Sequence, residues 1–150
     1  MRKVFLLFIA ATLVASAADP MFGTWKFNLE KSKVGNPSAW KGRLMIIESA
    51  GGDAYRSVFV TPTADGKTQR TEEIRYLDGK EHPRSTNPGE TIVTRTINDH
   101  HRILIFKKDG KETSSMDSTI SADGKVLTNV YKGPDANGKQ GEQLRVWDRQ

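Results

Sequence analysis

The chain has 150 residues, of which 36% are apolar, with 23 basic and 18 acidic side chains and a formal charge of +5. Residues 1–18 hold 14 of the 54 apolar side chains, which leaves 40 among the other 132, or about 30%, against about 45–50% in an ordinary globular domain. So lean a remainder disfavours a multilayer α/β enzyme and a membrane-spanning helix, while its recurrent β-branched and aromatic residues and mixed charges argue against disorder.

At the N-terminus, Arg2 and Lys3 precede an apolar run over 4–14, then Ala15-Ser16-Ala17-Ala18 and Asp19-Pro20. A basic start, a short apolar stretch and a small-residue site predict a secretory signal peptide over 1–18. The run falls short of the roughly 20 residues that span a bilayer. The remaining 19–150 is then expected to be one domain in a periplasmic or secreted protein. Cleavage removes Arg2 and Lys3, so 21 basic residues face 18 acidic ones and the charge falls to +3. The remaining Lys and Arg are scattered, with no stripe of the kind that binds nucleic acid. There is no cysteine, so stability must come from packing and strand pairing. A closed sheet does this with few apolar residues because it leaves no unpaired edge.

Beyond the leader, turn dipeptides punctuate the chain: Gly51-Gly52, Asp65-Gly66, Asp78-Gly79, Asp109-Gly110, Asp123-Gly124 and Asn137-Gly138. Such pairs supply the positive φ that tight hairpins need. They predict strands near 22–29, 42–49, 54–61, 68–77, 91–97, 102–108, 112–121, 125–132 and 141–148, with a short tenth piece near 80–84. Asn98-Asp99-His100-His101 supplies a further turn, and Gly35 and Pro37 limit the segment after the first strand to one short helical turn. The expected fold is all-β, an antiparallel up-and-down barrel of about 8–10 strands joined by Asp-Gly and Asn-Gly hairpins. Several strands are apolar at both parities, such as Leu44 and Ile46 against Met45 and Ile47, which implies cover on both faces.

The first strand reads Phe22-Gly23-Thr24-Trp25-Lys26-Phe27-Asn28-Leu29, with Trp25, Phe27 and Leu29 on one face. Together with the leader, the repeated Asp-Gly-Lys turns, the stretch Leu77-Asp78-Gly79-Lys80-Glu81-His82-Pro83 and the C-terminal Leu144-Arg145-Val146-Trp147-Asp148-Arg149, it resembles small secreted bacterial lipocalin-like proteins, which have calycin-type β-barrels. The resemblance implies that Gly23, Trp25 and a basic residue late in the last strand, Arg149 or Arg145, close one end of the barrel. A guanidinium over an indole is a favourable cation–π pair.

Few residues invite chemistry. His100-His101 point to opposite faces if they lie on a strand, and no His-x-His or Cys pattern supports a metal. Asp135-Ala136-Asn137-Gly138-Lys139 places Lys139 where a calcium loop needs oxygen, so it reads as a hairpin. Glu72 and Glu73 are adjacent and face apart, unlike a glycosidase pair. No Gly-x-Ser-x-Gly elbow or phosphate loop occurs. No catalytic residue, metal or cofactor is therefore expected.

A closed barrel offers its lumen as a binding site. Tyr55, Phe59, Tyr76, Phe106, Tyr131 and Trp147 are candidate walls, and Arg95 and Arg145 are candidate anchors for an anionic head group. The expected function is an exported lipocalin-like carrier of a small apolar or amphipathic molecule. The alternative is a non-catalytic structural or protein-interaction barrel with a filled core.

Overall fold

The computed structural model describes residues 18–150, so all of the predicted leader except its last residue lies outside the described residues. Ten strands follow one another: β1 (Gly23–Phe27), β2 (Leu44–Gly51), β3 (Ala54–Pro62), β4 (Thr68–Tyr76), β5 (Glu81–Pro83), β6 (Glu90–Asn98), β7 (His101–Lys108), β8 (Lys111–Ile120), β9 (Val126–Pro134) and β10 (Gln140–Arg149). They form one sheet in the order β4-β3-β2-β1-β10-β9-β8-β7-β6-β5. Consecutive strands pair antiparallel except β4 and β5, and β1 also pairs with β10, setting Trp25 opposite Arg149 and Phe27 opposite Trp147. The result is an up-and-down barrel, nearly closed, whose sheet ends are β4 and β5.

Local chemistry explains the punctuation. Three loops have the same form: Thr63-Ala64-Asp65-Gly66-Lys67, Ser121-Ala122-Asp123-Gly124-Lys125 and Asp135-Ala136-Asn137-Gly138-Lys139. In the first and third the leading residue donates its backbone N–H to the carbonyl of the fifth, Ser121 donates to the carbonyl of Val126 one residue further on, and in all three the glycine N–H returns to the carbonyl of the leading residue. The glycines sit at φ +78°, +72° and +79°, where a Cβ is strained. An aspartate carboxylate takes the lysine N–H in every case, from Asp65, Asp123 or Asp135. Side-chain capping of this kind is why Asp and Asn dominate turns. The Asp135 loop is therefore a hairpin closed by its own aspartate.

Strand parity divides the barrel. At one end Met21, Trp25, Met45, Ile47, Tyr55, Ile120 and Leu127 pack into a core that continues into Phe27 and Trp147. Trp25 is fully buried and donates its indole N–H to the Met21 carbonyl at 3.0 Å. Arg149, rather than Arg145, lies over the Trp25 ring, 4.2 Å from its centroid. Its guanidinium also donates to the carbonyls of Pro20, Phe22 and Gly124, tying the N-terminal segment to the β8–β9 turn. Gly23 is required beside it: with φ at +143°, a Cβ there would come within 2.4 Å of the Arg149 Nη1. Asp19 adds a second tie by pairing with Arg102, which is buried on β7.

The opposite parity carries the other apolar set. Leu44 and Ile46 are half-buried while Met45 and Ile47 are buried, so the two-sided strands have one fully packed face. The segment after β1 runs along β10, where Asn28 donates to the Val146 carbonyl and Lys33 exchanges two backbone bonds with Leu144. The predicted short helical turn is present as a single 3-10 turn, Pro37–Trp40.

Candidate ligand-binding site

Above the packed end, the lumen opens into a cavity of about 700 Å³. Its aromatic wall is built by inward positions of β3, β7, β9 and β10, namely Phe59, Phe106, Tyr131 and Trp147, and Trp40 of the 3-10 turn completes it. Met116 of β8 lies between them. Phe27, Trp40, Phe59 and Trp147 form one aromatic cluster, with ring centroids 5.0–6.2 Å apart.

Four arginines line the same cavity: Arg43, Arg75, Arg84 and Arg145. They fall into two pairs. Arg75 and Arg84 converge on Glu73, which is 4% exposed, at 3.0 and 2.8 Å. Arg84 also reaches Glu90 at 2.7 Å, and the Thr86 hydroxyl donates to Glu73 at 2.9 Å. Because Glu73 and Arg75 sit on β4 and Arg84 follows β5, these contacts bridge the seam between the sheet ends. Burial pushes the Glu73 carboxyl up, but Arg75, Arg84 and Thr86 outweigh it and hold the group below its ordinary value.

Arg43 and Arg145 make no ion pair among the described residues. Arg145 is sandwiched between Trp40 and Tyr131, 4.6 and 4.4 Å from their ring centroids. Its Nε and Nη2 donate to one neutral acceptor, the Gln143 amide oxygen. Arg43 lies 4.3 Å over Trp40 and donates from Nη2 to the Ala39 carbonyl, while its buried Nε has no partner. Burial pushes Arg145 down to about 10; Tyr131 opposes the drop and the Arg43 charge adds to it. Burial lowers Arg43 as well. Both remain cations at neutral pH. Asn129 Oδ1 and Trp147 Nε1, on two further lining residues, are also buried without a protein partner.

The sequence-predicted residues separate accordingly. Phe59, Phe106, Tyr131, Arg145 and Trp147 come together in the cavity. Tyr55 is buried but belongs to the packed end, since it lies one inward position further down β3 than Ser57. Tyr76 and Arg95 leave the site altogether. Tyr76 is 36% exposed and stacks on His82 at 3.9 Å, and Arg95 is exposed beyond the buried part of β6. Parity explains Arg95: Ile92 and Thr94 face inward on that strand, so Arg95 must face out. Trp40, Arg43, Arg75, Arg84 and Glu73 were not read from the sequence. Glu73-x-Arg75 was the available signal, an opposite-charge pair two residues apart on one strand face.

Two of the three histidines bond carboxylates away from the cavity: His82 bonds Asp78 and His101 bonds Asp117. Among the described residues, no cluster of three or more His, Cys, Asp or Glu side chains is placed to hold a metal.

No family model matches the sequence, and no curated protein matches it. Solved structures do. Wild-type fluorescent protein UnaG is similar over 87% of this chain and 97% of its own, with a TM-score of 0.56 and 18% identity. A fatty acid binding protein of Schistosoma mansoni, in complex with arachidonic acid, matches 90% of this chain and 99% of its own, at a TM-score of 0.60 and 8% identity. At such identities the likeness concerns the fold: this chain has the barrel architecture of the fatty-acid-binding proteins, and the lipocalin-like expectation is met at that coarse level.

Proposed function

We propose that the protein binds and carries a small amphipathic molecule in its barrel lumen and performs no catalysis. The observation that supports this most is the cavity itself, about 700 Å³ with an aromatic wall and two guanidiniums that no carboxylate among the described residues neutralises. Ligand sites combine apolar walls with a few placed polar groups in this way, and their volumes run to roughly 300–1,000 Å³. A filled structural barrel would close that space with its own side chains. The arachidonic acid complex named above supports the same reading by analogy of fold. The leader-like N-terminus supports export, with the domain at 19–150 working in the periplasm or outside the cell.

Native mass spectrometry of protein purified from cells that export it tests the carrier reading. A bound mass in the lipid range is the expected result. A clean apo mass, together with no uptake of a fluorescent fatty acid, would overturn it.

A further inference from the structure

Charge accounting within the lumen points to a more specific ligand. Of the four cavity arginines, Arg75 and Arg84 are answered by Glu73 and Glu90. Among the described residues Arg43 and Arg145 are answered by nothing of opposite charge: their protein partners are the Ala39 carbonyl and the Gln143 amide oxygen. Both lie against Trp40, so two positive charges share one aromatic platform. Holding two such cations together is unfavourable, because each loses hydration and they repel. Aromatic faces recover only part of that through cation–π contact. A doubly charged anion that engages both removes both penalties, and it also supplies acceptors for the unpartnered Arg43 Nε and the free Arg145 Nη1. The rest of the ligand has an obvious place, since Phe59, Phe106 and Trp147 line the same cavity.

We infer that the lumen selects amphiphiles whose polar end carries two negative charges, as a phosphate monoester does, with Arg43 and Arg145 as paired anchors that share Trp40 as their aromatic platform. This rests on the lumen-binding reading above and narrows it from any amphipathic molecule to one of defined head-group charge. Guanidinium suits the task because its fork of donors matches tetrahedral oxyanions and keeps its charge when buried.

The test compares four probes with the same ten-carbon tail: decyl phosphate, decyl sulfate, decanoate and decanol. Calorimetric titration at pH 8 uses each below its micellar concentration. A phosphate monoester carries close to two charges there, because its second pKa is about 6, whereas sulfate and carboxylate carry one. Decyl phosphate should bind at least about tenfold more tightly than decyl sulfate or decanoate. Arg43→Met should reduce that advantage to about threefold or less, and Arg145→Lys, which keeps a charge but loses the fork, should weaken phosphate more than decanol. Arg95→Met, on the outer surface, should change nothing. Circular dichroism confirms that each variant is folded, and a folded variant with the full phosphate preference counts against the inference. Equal affinity for sulfate and phosphate overturns it while leaving the carrier reading intact, as does tight binding of decanol alone. Failure of all four probes overturns the carrier reading too.

Discussion

Trp25 shows how much one side chain carries in a barrel with a thin core. Its ring is fully buried, its indole N–H is satisfied by Met21, and Arg149 covers its face while holding the carbonyls of Pro20, Phe22 and Gly124. Trp25→Ala removes the ring and leaves Arg149 over a void. The expected loss is about 3–5 kcal/mol, the usual range for an aromatic deleted from a core. Thermal and urea unfolding would show it as a lower midpoint, and an unchanged midpoint would refute the role. Gly133 is the opposite case, a side chain that must stay absent. A Cβ there would stand 2.4 Å from the Ser114 Cβ and 2.7 Å from the Tyr131 hydroxyl. Tyr131 is the ring under Arg145, so Gly133→Ala must push either β8 or a wall of the cavity. Destabilisation of about 1–3 kcal/mol is expected from overpacking, together with weaker binding of a lumen probe. Urea midpoints and probe titration measure the two effects separately.

Among the elements, the hairpins were the most legible part of the sequence. The glycine positions alone placed most of the strand breaks, because a residue forced to positive φ advertises itself by being glycine. Gly66→Ala tests this directly, since nothing lies within 4 Å of its missing Cβ and the cost is purely backbone. About 1–2 kcal/mol is expected, read as a shift in denaturation midpoint with an unaltered slope. Strand faces were harder to read, and β4 shows why. Hydropathy would turn Ile74 inward and expose its charged neighbours. Pairing with β3 decides otherwise: Ser57 opposes Glu73 and Tyr55 opposes Arg75, so the inward set on β4 is Glu73 and Arg75. Ile74 is left half-buried on the outer parity. A polar lumen inverts the apolar-in rule, and only long-range register reveals the inversion. The same physics hid the site. Aromatic walls such as Phe59, Phe106 and Trp147 stand out in any apolar pattern. Arg43 and Arg84 look like ordinary surface cations until the topology turns them inward.

For the whole molecule, the decisive feature is that the barrel is held at its two joints by different forces. Between β1 and β10 a continuous ladder of backbone bonds joins the first and last strands. Between β4 and β5 charged side chains make the crossing: Glu73 on β4 accepts from Arg75 beside it and from Arg84 and Thr86 beyond β5. This makes the second joint sensitive to acid. Glu73 is held below its ordinary value of 4.5 in the folded barrel, because its arginine partners outweigh the burial that opposes ionisation. A carboxyl whose pKa is lower folded than unfolded binds more protons in the unfolded chain. Its contribution to stability is therefore complete above about 4.5 and is lost as the pH falls through the lower, folded value. Glu73→Gln removes the charge at every pH and leaves Arg75 buried without its counter-ion. At neutral pH it should cost about 3–5 kcal/mol, as expected when one partner of a buried pair is removed. Below pH 4.5 the wild type should lose stability faster than the variant, so the gap between their urea midpoints narrows on acidification. Hydrogen exchange gives the location: in the variant, amides of β4 and of β5–β6 should exchange sooner, while those of β1 and β10 keep their protection. A gap that stays constant from neutral pH through acid, or exchange that quickens evenly around the barrel, would show that the seam is not held by this charge.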